Sequence, residues 1–322
     1  MKNRLFTVIP CYNEQEVLPE TAHRLLKKYE DLIARNMIAP NSRIAFVNDG
    51  SSDRTWQIIC DLHASNELFT GIDLSRNRGH QNALLAGLLT VKDYADLVIS
   101  MDADLQDDID AMDEMIKKYQ EGCDIVYGVR SSRQKDSFFK RTTAEAFYRL
   151  MNRLGANTVF NHADYRLMSR RALDGLAQFR EVNLFLRGLV PMIGYHTATV
   201  LYERHERFAG ESKYPFKKML AFAFEGITSL STKPIRIIST LGFLMFFASI
   251  IMSVIFIVQF FLGQTVSGWA SLIVSLWAIG GLLMLAIGVG EYIGKIYMEV
   301  KNRPRFLISR FLEDEKNDES DS

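Results

Sequence analysis

From the N-terminus to about residue 130, short apolar runs alternate with stretches of helical spacing. Leu5–Ile9, Arg43–Val47, Phe69–Leu74, Leu97–Met101 and Asp124–Val129 have the length and β-branched content of buried strands. Between them, Glu16–Asn36, Asp53–Ser65, Gln81–Lys92 and Ala111–Glu121 place apolar residues three and four apart. This alternation predicts a mainly parallel α/β sheet with helices on both faces. Residues 131–215 are less regular and include a basic helical stretch over Phe138–Leu154. Tyr214–Ser231 sets aromatic and aliphatic residues at helical spacing beside Lys217 and Lys218. Both a helix lying on a membrane surface and an ordinary packing helix fit that pattern.

The pattern changes at Ile237, after which no Lys, Arg, Asp, Glu or His occurs until Glu291, a run of 54 residues. A bilayer span needs about 20. Gly263-Gln264 and Ser267-Gly268 divide the run into two predicted membrane helices, roughly 237–262 and 267–290. A buried pair of soluble helices is disfavoured, because soluble helices keep charge on a solvent face. Lys217, Lys218, Lys233 and Arg236 precede the hairpin, Lys295, Lys301, Arg303, Arg305 and Arg310 follow it, and its loop carries no charge. The positive-inside rule then places both ends in the cytoplasm, at an inner or plasma membrane. Leu5–Pro10 is too short for a signal-peptide core. The expected layout is a cytosolic domain over 1–213, an amphipathic helix over 214–234, the hairpin within 235–292 and a cytosolic tail over 293–322. Beyond Leu312 the tail is acidic and polar and reads as disordered.

Composition adds little. Lys plus Arg and Asp plus Glu balance at 38 each, so no global charge argues for nucleic acid. Cys11, Cys60 and Cys123 lack metal-type spacing and read as packing residues in a reducing compartment.

Chemistry concentrates where the strands end, the side on which open α/β sheets bind ligands. Four strand ends are polar: Pro10-Cys11-Tyr12-Asn13-Glu14, Asn48-Asp49-Gly50-Ser51-Ser52-Asp53, Ser75 to Asn82, and Asp102-Ala103-Asp104. Two carboxylates spaced by one small residue suit a divalent cation such as Mg²⁺ or Mn²⁺ that clamps a diphosphate. Solvated loop carboxylates give the same letters, and each strand end alone fits turn chemistry, with Asp53 as a helix cap. The glycine signatures of dinucleotide sites and P-loops are absent. Together the four ends favour a nucleotide site in which a metal holds the diphosphate. His80 reads as a loop or packing residue.

The segments TVIPCYNE, VNDGSSDRT, LSRNRGHQNALLAG, MDADLQDD, ADYRLMSRRAL and ERFAGESKY resemble inverting glycosyltransferases of the dolichyl-phosphate mannose synthase and bactoprenol glucosyltransferase type, within glycosyltransferase family two. The resemblance implies a GT-A nucleotide-sugar fold. It places Pro10, Tyr12, Glu14 and Val47 at the nucleoside and gives Asp49 a hydrogen bond from the base imide. Asp102, Asp104 and Gln106 would hold the metal, with Ala103 beside the donor. Arg130 would lie at the transferred group and phosphates, and Arg207 and Lys213 on a loop closing over the diphosphate. Asp164 falls near the sugar or acceptor, so Asp104, Asp164 and Arg130 would carry the chemistry. Lys140 and Arg141 match the pair that meets the acceptor phosphate, although the basic run also fits a headgroup-facing surface. The chain departs from the pattern at Asp107-Asp108-Ile109-Asp110, expected to alter only the next helix start. It departs again at Ala144, where a serine is common and Thr142 or Thr143 could substitute.

The implied reaction moves one sugar from a UDP-sugar to undecaprenyl, or another polyprenyl, phosphate at the bilayer, to supply cell-envelope glycans. The resemblance also suggests a homo-oligomer, a tetramer. A phosphate monoester is largely dianionic at neutral pH, so positioning by Lys140, Arg141 and Arg130 should outweigh proton abstraction, with Asp164 orienting rather than acting as an obligatory base. A processive polysaccharide synthase would need Gln-X-X-Arg-Trp, and Trp56 is the only tryptophan ahead of the hairpin. A non-catalytic membrane scaffold would tolerate loss of Asp102, Asp104 and Gln106, which are present.

Overall fold

The computed structural model describes residues 2–131, 162–182, 184–203, 231–263 and 268–312. The chain divides into two compact units, and the described residues of the first are 2–131, 162–182, 184–203 and 304–312. Its strands are β1 (Leu5–Cys11), β2 (Arg43–Asn48), β3 (Phe69–Leu74), β4 (Leu97–Ser100), β5 (Ile125–Arg130), β6 (His162–Ser169), β7 (Thr197–Tyr202) and β8 (Ile308–Phe311). The helices of this unit are α1 (Leu18–Ala34), α2 (Thr55–Ser65), α3 (His80–Val91), α4 (Ala111–Gln120), α5 (Arg170–Ala177) and α6 (Leu186–Met192).

All eight strands form one sheet in the order β7-β5-β6-β4-β1-β2-β3-β8. β1 pairs in parallel with β2 and β4, and β2 with β3. β6 runs antiparallel to β4 and β5, while β5 and β7 are parallel. Side chains alternate between two cores: Ile9, Phe46, Ile99 and Leu167 pack with Leu25, Tyr29 and Ile116, and Val8, Val47, Val98 and Met168 with Leu84, Leu88 and Leu173. Burial on both faces is why these strands read as unbroken apolar runs. The chain winds from β1 to β3 in one direction and then returns to the other flank of β1 through β4. The loops after β1 and β4 therefore part at the switch point, opening a crevice.

The five strands and four helices expected ahead of residue 131 begin and end within about two residues of those observed. The stretch expected as a tail, 293–322, contains regular structure in its described part. Its first residues extend the second hairpin helix to Lys301, and Ile308–Phe311 pairs antiparallel with β3, burying Phe311 and Leu312. A four-residue strand with three exposed positions carries no alternation that a sequence reading can detect. The stretches Phe138–Leu154 and 214–230, with Lys140, Arg141, Arg207 and Lys213, lie outside the described residues.

The second unit contains α7 (Lys233–Phe261) and α8 (Trp269–Lys301), two helices long and apolar enough to cross a membrane. They meet at glycines: a Cβ on Gly242 would fall 2.8 Å from the Gly281 carbonyl oxygen. Small residues at such crossings let backbones approach closely.

Candidate active site

The loops after β1 and β2 are laced together. The Asp49 N–H donates to the Cys11 carbonyl at 2.9 Å. Asn13, at φ 54°, receives the Ser52 N–H on Oδ1 at 2.9 Å, while its own N–H reaches Ser51 Oγ at 3.0 Å. The Glu14 N–H donates to Thr55 Oγ1 at 2.9 Å, and Asp53 accepts the Gln15 and Thr55 N–H groups, as a helix-capping carboxylate does. Pro10 is buried in β1, Glu14 is half-buried and Tyr12 is 44% exposed at the crevice rim. Val47 is fully buried, packed where a Cβ on Gly87 of α3 would fall 2.6 Å from its Cγ2.

Asp49 is buried, and its two oxygens accept the backbone N–H groups of Arg78 at 2.6 Å and Gly79 at 2.9 Å. Burial pushes its carboxyl up from the usual range, against the pull of those amides. The residue assigned to a base imide thus also fixes the loop that opens α3. Gly79 takes φ 84°, conformational freedom that glycine supplies without Cβ strain, and His80 follows as the first helical residue.

The acidic turn begins one residue past β4. The Met101 N–H donates to the Val8 carbonyl, Thr21 of α1 donates its hydroxyl to the Ala103 carbonyl at 2.8 Å, and Leu105 takes φ 57°. The Gln106 N–H reaches Asp104 Oδ1 at 3.2 Å. Ala103 is buried, whereas the Asp102 side chain is 36% exposed. Burial raises the Asp102 carboxyl, with His80 pulling it down and the nearby Asp164 and Asp104 charges adding to the rise.

Asp164, on β6, has the opposite surroundings. Arg166 Nη2 lies 2.7 Å from Oδ1, Arg187 Nη2 lies 3.0 Å from Oδ2, and His80 Nε2 lies 3.5 Å from Oδ2. The Asp164 side chain is only 8% exposed. Burial opposes its charge, but Arg187, His80 and Arg166 outweigh that and hold it well below the usual carboxylate range. His80 Nε2 also stands 3.5 Å from Asp102 Oδ1, bridging the two carboxylates. Burial lowers the imidazole and the two acids more than compensate, leaving it raised. The Gln81 side-chain oxygen accepts the Leu186 N–H at 2.9 Å, which docks the start of α6, and with it Arg187, onto the start of α3.

Arg130, at the end of β5, donates from Nε to the Tyr202 hydroxyl at 3.3 Å. Tyr202 in turn donates to Asp107 Oδ1 at 2.5 Å. Asp107 is buried and pushed up to about 6, by burial first and then by Asp102. The Asp107 departure therefore does more than shift a helix start: it anchors Tyr202 and, through it, Arg130.

Asp102, Asp104, Gln106, Asp164 and Arg130 thus gather around the β4 end, while Pro10, Tyr12, Glu14 and Asp49 lie on the adjoining loops. His80, Arg166, Arg187 and Tyr202, which the sequence did not single out as site residues, join this assembly through their contacts. The strand-end position of His80 was a usable signal, whereas Arg187 sits in an unremarkable Phe-Leu-Arg-Gly-Leu run.

Among the described residues no three His, Cys, Asp or Glu side chains form a ready-made metal cage. Two carboxylates and an amide fit instead a hard cation that takes its remaining ligands from phosphate and water. The raised Asp102 points the same way, since a dication relieves the repulsion from Asp104 and Asp164. The arrangement can stabilise a departing anion with a cation and a held guanidinium. The Asp164 oxygens already face two guanidinium groups and the His80 imidazole, which makes this carboxylate a poor proton acceptor.

The glycosyltransferase YkoT of Bacillus subtilis is 55% identical over 313 residues, covering 97% of this chain and 93% of that protein. The SfII prophage-derived bactoprenol glucosyl transferase of Shigella flexneri is 39% identical over 312 residues, covering 95% of this chain and 98% of that one. A mannosyltransferase from Pyrobaculum calidifontis, solved with GDP-Man and Mn²⁺, is 15% identical with a TM-score of 0.45, over 89% of this chain and 88% of that one. The profile described as glycosyl transferase family 2 matches residues 7–176, more than half of the chain, including the ends of β1 to β5 and β6 with Asp164. The chain belongs to glycosyl transferase family 2.

Proposed function

We propose that the protein is a membrane-bound inverting enzyme that transfers one sugar from a UDP-sugar to a polyprenyl phosphate, undecaprenyl phosphate in a bacterial membrane. The observation that carries this reading is the acidic turn at the switch point, bridged by His80 to the Asp164 cluster. Relatives named bactoprenol glucosyl transferase over nearly the whole chain support the acceptor class.

Asp102, Asp104 and Gln106 would hold Mg²⁺ or Mn²⁺, which would supply Lewis-acid stabilisation to the departing nucleoside diphosphate. Tyr12 and Glu14 face the nucleoside, with Pro10 and Val47 beneath them. Arg130, aimed by Tyr202 and Asp107, places its planar fork on the phosphates. Asp164 stays ionised and fixes Arg187 and His80 beside the reacting centre. The dianionic acceptor phosphate attacks without surrendering a proton, so orientation by Lys140 and Arg141 replaces a general base. Arg207 and Lys213 close over the diphosphate.

We assign 1–213 to the cytosolic catalytic domain, 214–234 to a juxtamembrane helix and 235–292 to the membrane hairpin, with both termini in the cytoplasm and a tetrameric assembly. The hairpin would tether the enzyme to the bilayer that carries its lipid acceptor. The test is incubation of membranes with radiolabelled nucleotide sugars and undecaprenyl phosphate, followed by lipid extraction. Label should enter the lipid fraction from a UDP-sugar and vanish on chelation. Failure of every nucleotide sugar to label lipid would overturn the proposal.

A further inference from the structure

The chain leaves α8 at Lys301, turns through Asn302 at φ 44° and enters the sheet of the first unit as β8. Pairing with β3 is in register at Ile72 with Phe311, Asp73 with Arg310 and Leu74 with Ile308, with an irregularity between Asp73 and Leu74. Two further bonds extend the ladder beyond the strand: the Ser75 N–H donates to the Leu307 carbonyl at 3.0 Å, and the Leu312 N–H to the Gly71 carbonyl at 2.9 Å. Leu312 packs over Gly71 so closely that an added Cβ would fall 2.9 Å from its Cδ1. Phe311 is 7% exposed and meets Tyr94 edge-on at 5.7 Å. Arg305 donates from Nη1 to the carbonyls of Phe179 at 3.2 Å and Glu181 at 3.4 Å.

These contacts land where the donor-site loop begins. Ser75, bonded to Leu307, starts the segment whose Arg78 and Gly79 amides Asp49 holds and whose end is His80. Asp73, opposite Arg310, accepts from Asn48 Nδ2 at 2.7 Å, and Asn48 Oδ1 takes the Ser51 N–H at 3.2 Å. The loops after β2 and β3 touch so closely that a Cβ on Gly50 would lie 2.5 Å from the Asn77 nitrogen. The end of β3 is thus tied to both loops by the Asp73–Asn48–Ser51 hydrogen bonds and by the close approach of Gly50 to Asn77. Without β8, β3 would also be a frayed sheet edge among the described residues.

We propose that Phe311 and Leu312, with Arg305, are positioning residues of the donor site: the segment that follows the hairpin braces the end of β3 and so sets the Ser75–His80 loop. The proposal rests on the nucleotide-site reading above. It makes the catalytic unit discontinuous, with chain from both sides of the hairpin needed to bind donor tightly.

The test uses the full-length protein in detergent, with UDP and Mn²⁺ as the probe in calorimetry and amide exchange read over Arg76–Gly79. Phe311→Ala is compared with Leu176→Ala, a buried change on α5, at temperatures equally far below each thermal midpoint. Phe311→Ala should weaken UDP at least about tenfold and speed exchange over Arg76–Gly79, whereas Leu176→Ala should move the Kd no more than about twofold. Phe311→Leu should restore most of the affinity. Equal weakening in both variants, or none in either, would overturn the brace. If the unaltered protein binds no UDP, the nucleotide-site reading fails, and the exchange comparison alone decides the brace.

Discussion

Two acidic regions meet at this site and differ in what surrounds them. The turn carrying Asp102 and Asp104 is partly open to solvent, and burial and neighbouring carboxylates hold the Asp102 proton on more tightly than usual. Asp164 is nearly enclosed, yet Arg187, His80 and Arg166 keep it ionised. Basic side chains close round Asp164, whereas Asp102 meets His80 at 3.5 Å on one side and keeps solvent on the other. Environments that push carboxylates apart in this way assign them different tasks. On the reading proposed above, the turn would receive a cation with its substrate, while Asp164 organises the basic side chains of the protein itself.

The comparison breaks most visibly in activity. Asp104→Ala should cut sugar transfer at least about a hundredfold, the scale of losing a principal charge-stabilising group, with the thermal midpoint unchanged. Near-normal turnover of the purified variant would remove the turn from the mechanism. Asp164→Ala should reverse the pattern of damage by leaving Arg166 buried without its counter-ion. Breaking such a pair costs about 3–5 kcal/mol, readable by chemical denaturation. Replacing Arg166 by Met in the same chain should recover much of that loss.

Acid sharpens the contrast further. A carboxyl with a depressed folded pKa contributes stability that is full above its unfolded value of about 4 and declines as pH falls below it. Asp164 is such a group. The stability of the unaltered protein should therefore fall as pH drops below about 4, and Asp164→Asn should flatten that limb. An unchanged acid limb would show that the three cations do not hold this carboxyl as described. The smallest effect is expected at Tyr202→Phe, which removes the hydroxyl between Arg130 and Asp107. One hydrogen bond is worth about 1 kcal/mol, so kcat/KM should fall roughly five- to tenfold with acceptor KM unmoved.

The parallel half of the fold was legible because β1 to β4 are buried on both faces, and helices such as α1 between them carry an apolar stripe. The reversed half was not. β6 places Asp164 and Arg166 in the core, so its alternation breaks where the site is built, and β7 and β8 are edge strands with mostly exposed residues. The acidic turn could be read from local spacing. Its union with His80, Asp164 and Arg187 could not, since these groups come from four separate places in the chain and β6 brings Asp164 between them. β8 could not be read for a related reason: the apolar hairpin hides that the chain beyond it returns to the first sheet. A chain cut ahead of Lys233 loses β8 along with the membrane helices.

The most direct test of the central claim is UDP binding by calorimetry with and without Mn²⁺, in the unaltered protein and in Asp104→Ala. If the acidic turn holds the cation that grips the diphosphate, Mn²⁺ should tighten UDP at least about tenfold in the unaltered protein and have no effect in the variant. Equal affinity in Mn²⁺ and in chelator, or a metal effect that survives Asp104→Ala, would contradict the account.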